Sequence, residues 1–267
     1  PHPFQIAVGC RVRERILEVL NEADEVVFSH FHGDHIPLAK ANPYQLSLDS
    51  LPSRFQHLHC WSKSNRDLSA KMNQRYQDLS NLLGDHLHMA EGQSHGVVRF
   101  SKAVPHGDAS CYMGTVMMTR IDMGDRIFVH ASDIQLLNDA AVDQILCWKP
   151  DIVLAAGPPL YLERLGESER AHAWKNALRL AQNIEVVILD HHLMRSEEGA
   201  EWLDRLSEMV GRPVLCAADF MHRPRLLLEA DRVRLYEEMP VPENWHQDYE
   251  DGMADFERYL ISSYYPE

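Results

Sequence analysis

Stretches with apolar residues at helical spacing alternate along this chain with short, wholly apolar runs. The first stretch, at 11–22, predicts a helix, and the run at 26–28 that follows it predicts a buried strand. A polar stretch at 64–83 with one apolar side predicts a second helix. Gly124 suits a hairpin turn between two later strands. Strand-like runs in this part of the chain lie at 97–100, 112–121 and 126–130.

The second half of the chain alternates between helices and strands. Helices are predicted at 138–148, 168–182, 196–210 and 224–238, and strands at 152–156, 186–189 and 214–217. Such alternation after a strand-rich first half is typical of an α/β fold in which helices cover sheets. We therefore expect residues 1–267 to form a single domain, with 240–267 as an acidic, aromatic C-terminal extension.

The composition of the chain narrows the classes of partner. The formal net charge of −14 argues against a long nucleic acid, because such a partner needs a basic surface that displaces counterions. No apolar run approaches the roughly 18–20 residues that cross a bilayer. No charged-then-apolar leader is present either, so we expect a soluble, cytoplasmic protein without a membrane partner. No pattern in the sequence indicates a particular oligomeric state.

Cysteine usage and histidine usage give different indications about a metal site. The five cysteines are widely spaced without a CxxC pair, which is typical of reduced core thiols in a cytosolic protein and argues against a cysteine-based zinc site. They are Cys10, Cys60, Cys111, Cys147 and Cys216. The sixteen histidines, by contrast, are well above ordinary usage, and part of this excess needs a chemical explanation.

The segment HFHGDH at positions 30–35 directly follows the first predicted strand. Imidazole nitrogen and carboxylate oxygen are ligands that zinc prefers. Alternate residues of an extended segment point the same way, so His30 and His32 can converge on one ion. The glycine lets the chain turn Asp34 and His35 toward a second ion about 3.5–4 Å away. The segment therefore predicts a metal site rather than a histidine-rich surface loop.

The pattern HxHxDH resembles the signature of the metallo-β-lactamase fold superfamily, which has further ligands downstream in a set order. Residues that match this order follow later strand-like runs: His106 in PHG, Asp133 in SD, and the histidine pair of LDHH. The resemblance implies that Asp133 bridges two ions, and that His191 or His192 is the last ligand, with His192 the better match. The implied ligands are His30, His32, Asp34, His35, His106, Asp133 and His192.

The resemblance also implies an α/β fold, a four-layer αββα sandwich of the metallo-β-lactamase type. The segments SDIQ, GPPLY and DHHLMR are similar to a small prokaryotic branch described as predicted metal-dependent hydrolases, and this similarity runs over about 1–240. The superfamily normally has two or more strands before HxHxDH, whereas 29 residues precede it here. Either N-terminal strands lie outside this sequence or the chain is truncated, and without them the first sheet has an exposed edge.

A binuclear hydrolase is the function that the resemblance implies. A hydroxide bridged by two divalent ions, Zn²⁺ first and Mn²⁺ or iron as alternatives, would cleave a phosphoester, lactone or thioester bond in a small anionic or ester substrate. Asp34 and the bridging Asp133 would orient the hydroxide, and His191 or Tyr161 would assist the leaving group. Tyr161 can equally be a packed tyrosine whose hydroxyl caps backbone, and Arg195 either clamps an anionic group or forms an ordinary ion pair.

Three other functions remain open at this point. The same ligand order can hold iron for redox or sensing chemistry, because imidazole suits both zinc and iron. The usual reductase branch has a carboxylate in place of His32 and a flavin domain, which favours hydrolysis here. A nuclease of short nucleic acid and a non-catalytic metal-binding protein are the remaining alternatives.

Overall fold

The computed structural model describes residues 1–108 and 114–260. Over these residues the α-helices are α1 (Pro3–Glu22), α2 (Ala70–Leu83), α3 (Asp139–Cys147), α4 (Glu167–Asn183), α5 (Glu197–Val210), α6 (Ala217–Phe220), α7 (Arg232–Glu238) and α8 (Trp245–Glu250). The strands are β1 (Glu25–Phe28), β2 (His59–Ser62), β3 (Leu87–Met89), β4 (Ser94–His95), β5 (Val98–Phe100), β6 (Val104–Pro105), β7 (Thr115–Val116), β8 (Thr119–Asp122), β9 (Ile127–His130), β10 (Ile152–Ala155) and β11 (Val186–Leu189). Cys111 and Tyr112 lie outside the described residues.

The described strands form a mixed α/β architecture with several sheets. β1, β2 and β3 make a parallel sheet in that order, while β6 and β7 pair antiparallel. The larger sheet has the order β11-β10-β9-β8-β5-β4. Its strands β9, β10 and β11 are parallel, so their carboxyl ends meet at one edge. Loops at such an edge are where α/β folds place their ligands.

Apolar clusters connect the helices and sheets. Phe28 and Cys60 of the first sheet pack with Leu79 of α2 in one cluster. Trp61 of β2 packs against Phe100 of β5, with ring centroids 5.7 Å apart, and so joins the first sheet to the larger one. The largest cluster packs strands β9, β10 and β11 against helices α3, α4 and α5. Burial of apolar surface therefore holds both sheets under the loops that carry the predicted ligands.

The alternation predicted for the second half is confirmed from α3 to α5. Each of these elements lies within one or two residues of its predicted bounds. Gly124 has φ of +92° in the turn between β8 and β9, as the hairpin prediction required. The first helix is longer than expected, because His2 caps it and Pro3 suits its first turn. The second helix is shorter, because Ser69 caps it and residues 64–68 remain outside.

Two predicted elements near the C-terminus are wrong. In place of a strand at 214–217, Leu215 makes an isolated bridge to Ile188 and α6 begins at once. In place of a helix at 224–238, only its last part is helical, as α7. The guanidinium of Arg225 pairs with Asp219 and Asp204, 2.7 and 2.9 Å away, and this tertiary pairing holds the preceding segment in an irregular conformation. The run predicted at 112–121 forms β7 and the start of β8 over its described part.

The two ends of the described chain pack together. Phe4 of α1 lies in one cluster with Trp245 and Tyr259 from the acidic, aromatic tail. Over the described residues α1 alone precedes β1, and β1 is an edge strand that pairs with β2. No helix in residues 1–108 and 114–260 is long and apolar enough to cross a membrane.

Candidate metal centre

All the predicted ligands come together in one place. His30 lies just after β1 and His106 just after β6, while Asp133 follows β9 and the pair His191–His192 follows β11. Three groups of side chains each have ligand atoms within 4.8 Å of one another. These groups are His30 with His32, His106 and Asp133, then Asp34 with His35 and His191, and finally Asp133 with His191 and His192.

The first group combines three imidazoles with one carboxylate. The Nε2 atom of His30 lies 3.0 Å from Nδ1 of His32, and the rings of His32 and His106 are 5.0 Å apart. Nε2 of His106 lies 2.8 Å from Oδ2 of Asp133. Three nitrogens and one oxygen in this space are the donor set of a tetrahedral zinc site.

The second group lies on the other side of the same carboxylate. Nε2 of His35 is 3.1 Å from Oδ2 of Asp133, and Oδ2 of Asp34 lies 3.7 Å from Nε2 of His191. His191 and His192 each place Nε2 3.7 Å from an oxygen of Asp133. Both histidines of the pair therefore reach the centre, and Asp133 contacts both groups.

Polar side chains hold several of the rings from behind. Nδ1 of His30 lies 3.0 Å from the hydroxyl of Ser29, and Nδ1 of His106 lies 3.1 Å from the side-chain amide of Gln135. The hydroxyl of Tyr161 lies 3.4 Å from Nδ1 of His192. Each contact engages Nδ1 and leaves Nε2 directed at Asp133, as outer partners of metal-binding histidines do. The supporting roles of Ser29 and Gln135 are absent from the sequence prediction.

The backbone is left-handed next to two of the ligands. Ser132 has φ of +54° and His191 has φ of +57°, a region that residues with a Cβ rarely adopt. The hydroxyl of Ser132 bonds that of Ser29 at 2.8 Å and so ties the β9 loop to the β1 loop. Asp190 accepts hydrogen bonds from the backbone of His191 and Ala217, which anchors the loop after β11. Such strain persists where the surroundings over-determine the conformation.

The protonation states of the centre suit a cation. Burial lowers the pKa of His30, His32 and His191 to about 4, so these rings are neutral at pH 7. Burial opposes ionisation of Asp133, but the hydrogen bond from His106 and the close contacts of the other imidazoles hold its pKa far below its usual value. Burial also lowers the pKa of His35, yet the nearby carboxylates outweigh it and raise that pKa above its usual value. Metals bind deprotonated ligands, so most of the candidate ligands are in the protonation state that binds a metal at neutral pH.

Two buried nitrogens test whether a metal fits the centre. Nε2 of His35 and Nε2 of His192 are inaccessible to solvent and make no hydrogen bond of acceptable geometry. Buried polar atoms without partners are rare in folded proteins. Both atoms face Asp133, so a cation there would satisfy them and balance the carboxylate.

Further polar side chains form the rim of the centre. Arg195 lies 3.4 Å from the hydroxyl of Tyr161, 3.3 Å from Nε2 of His191 and 3.7 Å from Oδ2 of Asp34. Next to them, a cavity of about 420 Å³ extends from Asp34 and His35 to α1, with mainly apolar walls. The site thus combines a polar mouth with an adjacent apolar recess.

Comparison with known proteins finds several similar proteins. No family model matches. A UPF0282 protein of Methanosarcina mazei is 47% identical over 261 residues, covering 98% of this chain and 86% of that protein. UPF0282 proteins of Methanopyrus kandleri and Pyrococcus furiosus are 33% and 31% identical, covering 84% and 89% of this chain and 80% and 78% of their own lengths. A solved structure of a CmlA beta-hydroxylase E377D mutant gives a TM-score of 0.44 at 15% identity, over 72% of this chain and 42% of that chain.

Proposed function

This chain belongs to the UPF0282 family, and we propose that it is a binuclear metal-dependent hydrolase with the four-layer arrangement of the metallo-β-lactamase fold. The single observation that carries the proposal is the position of Asp133. Its carboxylate lies within 3.7 Å of imidazoles from three separate loops. The layered fold is supported by apolar packing of helices against each sheet, and by the contact of Trp61 with Phe100 between the two sheets.

The proposed ligands form two groups, and Asp133 lies between them. His30, His32 and His106 would hold the first cation. Asp34 and His35 would hold the second together with a histidine of the pair after β11. Two divalent cations, with zinc the best match to these donors, would supply a bound water with a pKa near about 7 and a Lewis acid for the oxygen of the scissile group.

The remaining chemistry belongs to side chains of this chain. Burial opposes ionisation of Asp34, but His35 and His191 keep its pKa below the usual value, so its carboxylate is ionised at neutral pH and orients the attacking water. Water adds to an acyl or phosphoryl centre of a small ester, and the bond to the leaving oxygen breaks. The hydroxyl of Tyr161 donates a proton to that oxygen and recovers it from the water-derived hydroxyl of the product.

The test combines metal analysis with hydrolysis assays on the purified protein. We expect about two zinc, manganese or iron ions per chain and turnover of at least one ester among 4-nitrophenyl butyrate, bis(4-nitrophenyl) phosphate, a lactone and a thioester. Asp133→Asn should reduce the metal content to below one ion and the hydrolysis rate by about 100-fold. The matched control is Asp143→Asn, which changes an exposed carboxylate on α3 that pairs with Arg179.

Two results would contradict the proposal. A wild-type protein with less than about one ion per chain after reconstitution rules out a binuclear centre. A metal-loaded protein that hydrolyses none of the four ester types and is coloured by iron would instead favour the redox alternative.

A further inference from the structure

We infer that Arg195 and Tyr161 form an anion-binding subsite at the rim of the metal centre, which holds a carboxylate or phosphate group of the substrate. This inference rests on the proposed function and adds a substrate class to it. A substrate of this class carries its anionic group close to the scissile bond, because Arg195 lies 3.3 Å from Nε2 of His191.

The contacts of Arg195 differ from those of arginines that stabilise the fold. Arg225 has carboxylate oxygens 2.7 and 2.9 Å away on Asp219 and Asp204. Within the described residues, Arg195 has one carboxylate within 4 Å, that of Asp34 at 3.7 Å. Asp34 is itself a proposed metal ligand. An ordinary ion pair that stabilises the fold therefore does not explain the position of Arg195.

The guanidinium of Arg195 has spare capacity for a ligand. It carries five N–H donors and is always charged. Its contacts with Tyr161 and His191 are long, at 3.4 and 3.3 Å, and a third of its side chain is exposed, at 33%. An oxyanion that approaches from solvent can take two of these donors at once, since the planar fork matches carboxylate and phosphate geometry.

The subsite is built on a firmly packed turn. Arg195 ends the 3-10 turn Leu193–Arg195, directly after His192. A Cβ on Gly157 would lie 2.9 Å from Cβ of Leu193, and one on Gly199 would overlap the carbonyl of Leu193. The turn is thus held from both sides at close approach, and a preorganised cation binds an anion at a lower entropic cost than a mobile one.

Tyr161 completes the subsite from the neighbouring loop. Its hydroxyl lies 3.4 Å from a guanidinium nitrogen of Arg195 and 3.4 Å from Nδ1 of His192. It can donate to an oxyanion held by Arg195. The formal charge of the chain is −14, so the guanidinium at the rim gives an anionic substrate a local attraction within a chain that is acidic as a whole.

The experiment uses two esters with one leaving group. The neutral ester is 4-nitrophenyl butyrate, and the anionic one is the mono-4-nitrophenyl ester of succinic acid. Arg195→Gln should lower kcat/KM for the anionic ester by about 10- to 100-fold more than for the neutral ester, with the extra loss mainly in KM. Arg195→Lys, which keeps the charge, should recover part of the loss. An equal loss on both esters, or no loss on the succinate ester, overturns the inference.

A binding measurement separates this inference from the proposed hydrolysis. Isothermal titration calorimetry of the metal-loaded protein with benzoate and phenylphosphonate distinguishes a carboxylate from a phosphate site. At equal metal content, binding of at least one anion should be about 10-fold weaker in Arg195→Gln than in wild type. If wild type and Arg195→Gln bind each anion with equal affinity, the proposed subsite is overturned. If wild type hydrolyses neither of these esters and none of the four ester types named above, while anion binding depends on Arg195, the hydrolase proposal fails and the anion-binding subsite stands.

The matched control for both assays is Arg126→Gln. This substitution removes the same charge at the start of β9, at the end of that strand away from Asp133, where Arg126 pairs with Glu185 at 3.3 Å. It should leave the ratio of the two esters and the affinity for both anions unchanged. A control variant that reproduces the Arg195 effect would assign it to net charge and overturn the subsite.

Discussion

The carboxylate of Asp133 contacts most of the imidazoles in the candidate metal centre. Five imidazoles lie within 3.7 Å of its two oxygens. Removing one partner from a buried charge network leaves the others uncompensated, and such truncations are strongly destabilising. Behind the rings, neutral groups such as the amide of Gln135 set the orientation without adding charge.

Replacing Gln135 tests this orienting role. Gln135→Met has a similar shape but lacks the amide that contacts Nδ1 of His106. We expect metal affinity to fall by about 10- to 100-fold, because outer partners fix the direction of the coordinating nitrogen. Competition with a chromogenic chelator measures the change. Gln144→Met on α3 is the control, and equal affinities in the two variants would assign no orienting role to Gln135.

At the scale of elements, the close contact between the turn after β11 and the start of α5 positions the last ligands. Gly199 lies in the first turn of α5, and any side chain there would overlap the backbone carbonyl of Leu193. Because backbone rather than a flexible side chain is in the way, the turn that follows His192 must shift to accommodate even a methyl group.

We expect Gly199→Ala to displace this turn. The protein should lose about 1–3 kcal/mol of unfolding free energy, as overpacked cores do, and also part of its metal affinity. Gly211→Ala is the control at the other end of α5, where φ is +68° and nothing lies within 4 Å. It should cost about 1 kcal/mol through backbone conformation, with metal affinity unchanged. Chemical denaturation and chelator competition measure both, and unaltered affinity in Gly199→Ala would contradict the positional argument.

The cap of α1 makes the stability of that helix depend on pH. Nδ1 of His2 accepts from the backbone N–H of Phe4 at 3.1 Å, and Nε2 donates to the carbonyl of Met239 at 2.9 Å. Burial lowers the pKa of His2, and the bond to Met239 opposes this in part. The folded protein therefore binds fewer protons than the unfolded one, and stability falls as pH drops from above about 6.5 toward the folded pKa.

The variant His2→Asn should remove this pH dependence, because asparagine caps a helix without titrating near neutrality. We expect thermal denaturation of the wild type and the variant to differ more at pH 5 than at pH 8, in favour of the variant. Parallel stability curves over this pH range would show that protonation of His2 does not control the cap.

The convergence of the predicted ligands was predictable from sequence because the segments that carry them follow runs that become strand ends. His30 and Asp133 occupy such positions after β1 and β9, and the order of motifs indicated that they meet. The rings of His32 and His106 lie 5.0 Å apart, as that prediction requires. The contact of Ser29 with His30 and that of Gln135 with His106 depend on side-chain placement after folding, which spacing does not encode.

The two wrong predictions of secondary structure also arise from contacts that form only in the folded chain. Apolar residues at 224–238 have a helical pattern, but the pairing of Arg225 with Asp219 and Asp204 overrides it. The run at 214–217 has the composition of a strand, yet Leu215 makes only an isolated bridge to Ile188. Local propensity is a weak guide where long-range ion pairs and caps decide the backbone.

For the whole molecule, the candidate metal centre brings together loops that lie far apart along the chain, from His30 to His192. An unfolded chain does not present these ligands together, so metal binding should stabilise the folded state. Zinc at 100 times its Kd adds about 2.7 kcal/mol. Since 1 kcal/mol shifts Tm by about 2–4 °C in chains of this size, removing the metal with a chelator should lower Tm by about 5–10 °C.

Scanning calorimetry of the chelator-treated and zinc-loaded protein measures this shift, and adding zinc back should reverse it. The variant Asp133→Asn provides the reference, since its Tm should move by less than about 2 °C on zinc addition. A shift of equal size in that variant would place the stabilising zinc elsewhere.

The left-handed backbone at Ser132 changes which replacements count as conservative there. Threonine retains the hydroxyl that contacts Ser29, but its branched Cβ is disfavoured at a φ of +54°. Asparagine, aspartate and glycine fit this backbone more readily. A saturation library at position 132, selected for folded protein, should therefore return these residues ahead of threonine and valine, the reverse of what side-chain chemistry alone would rank.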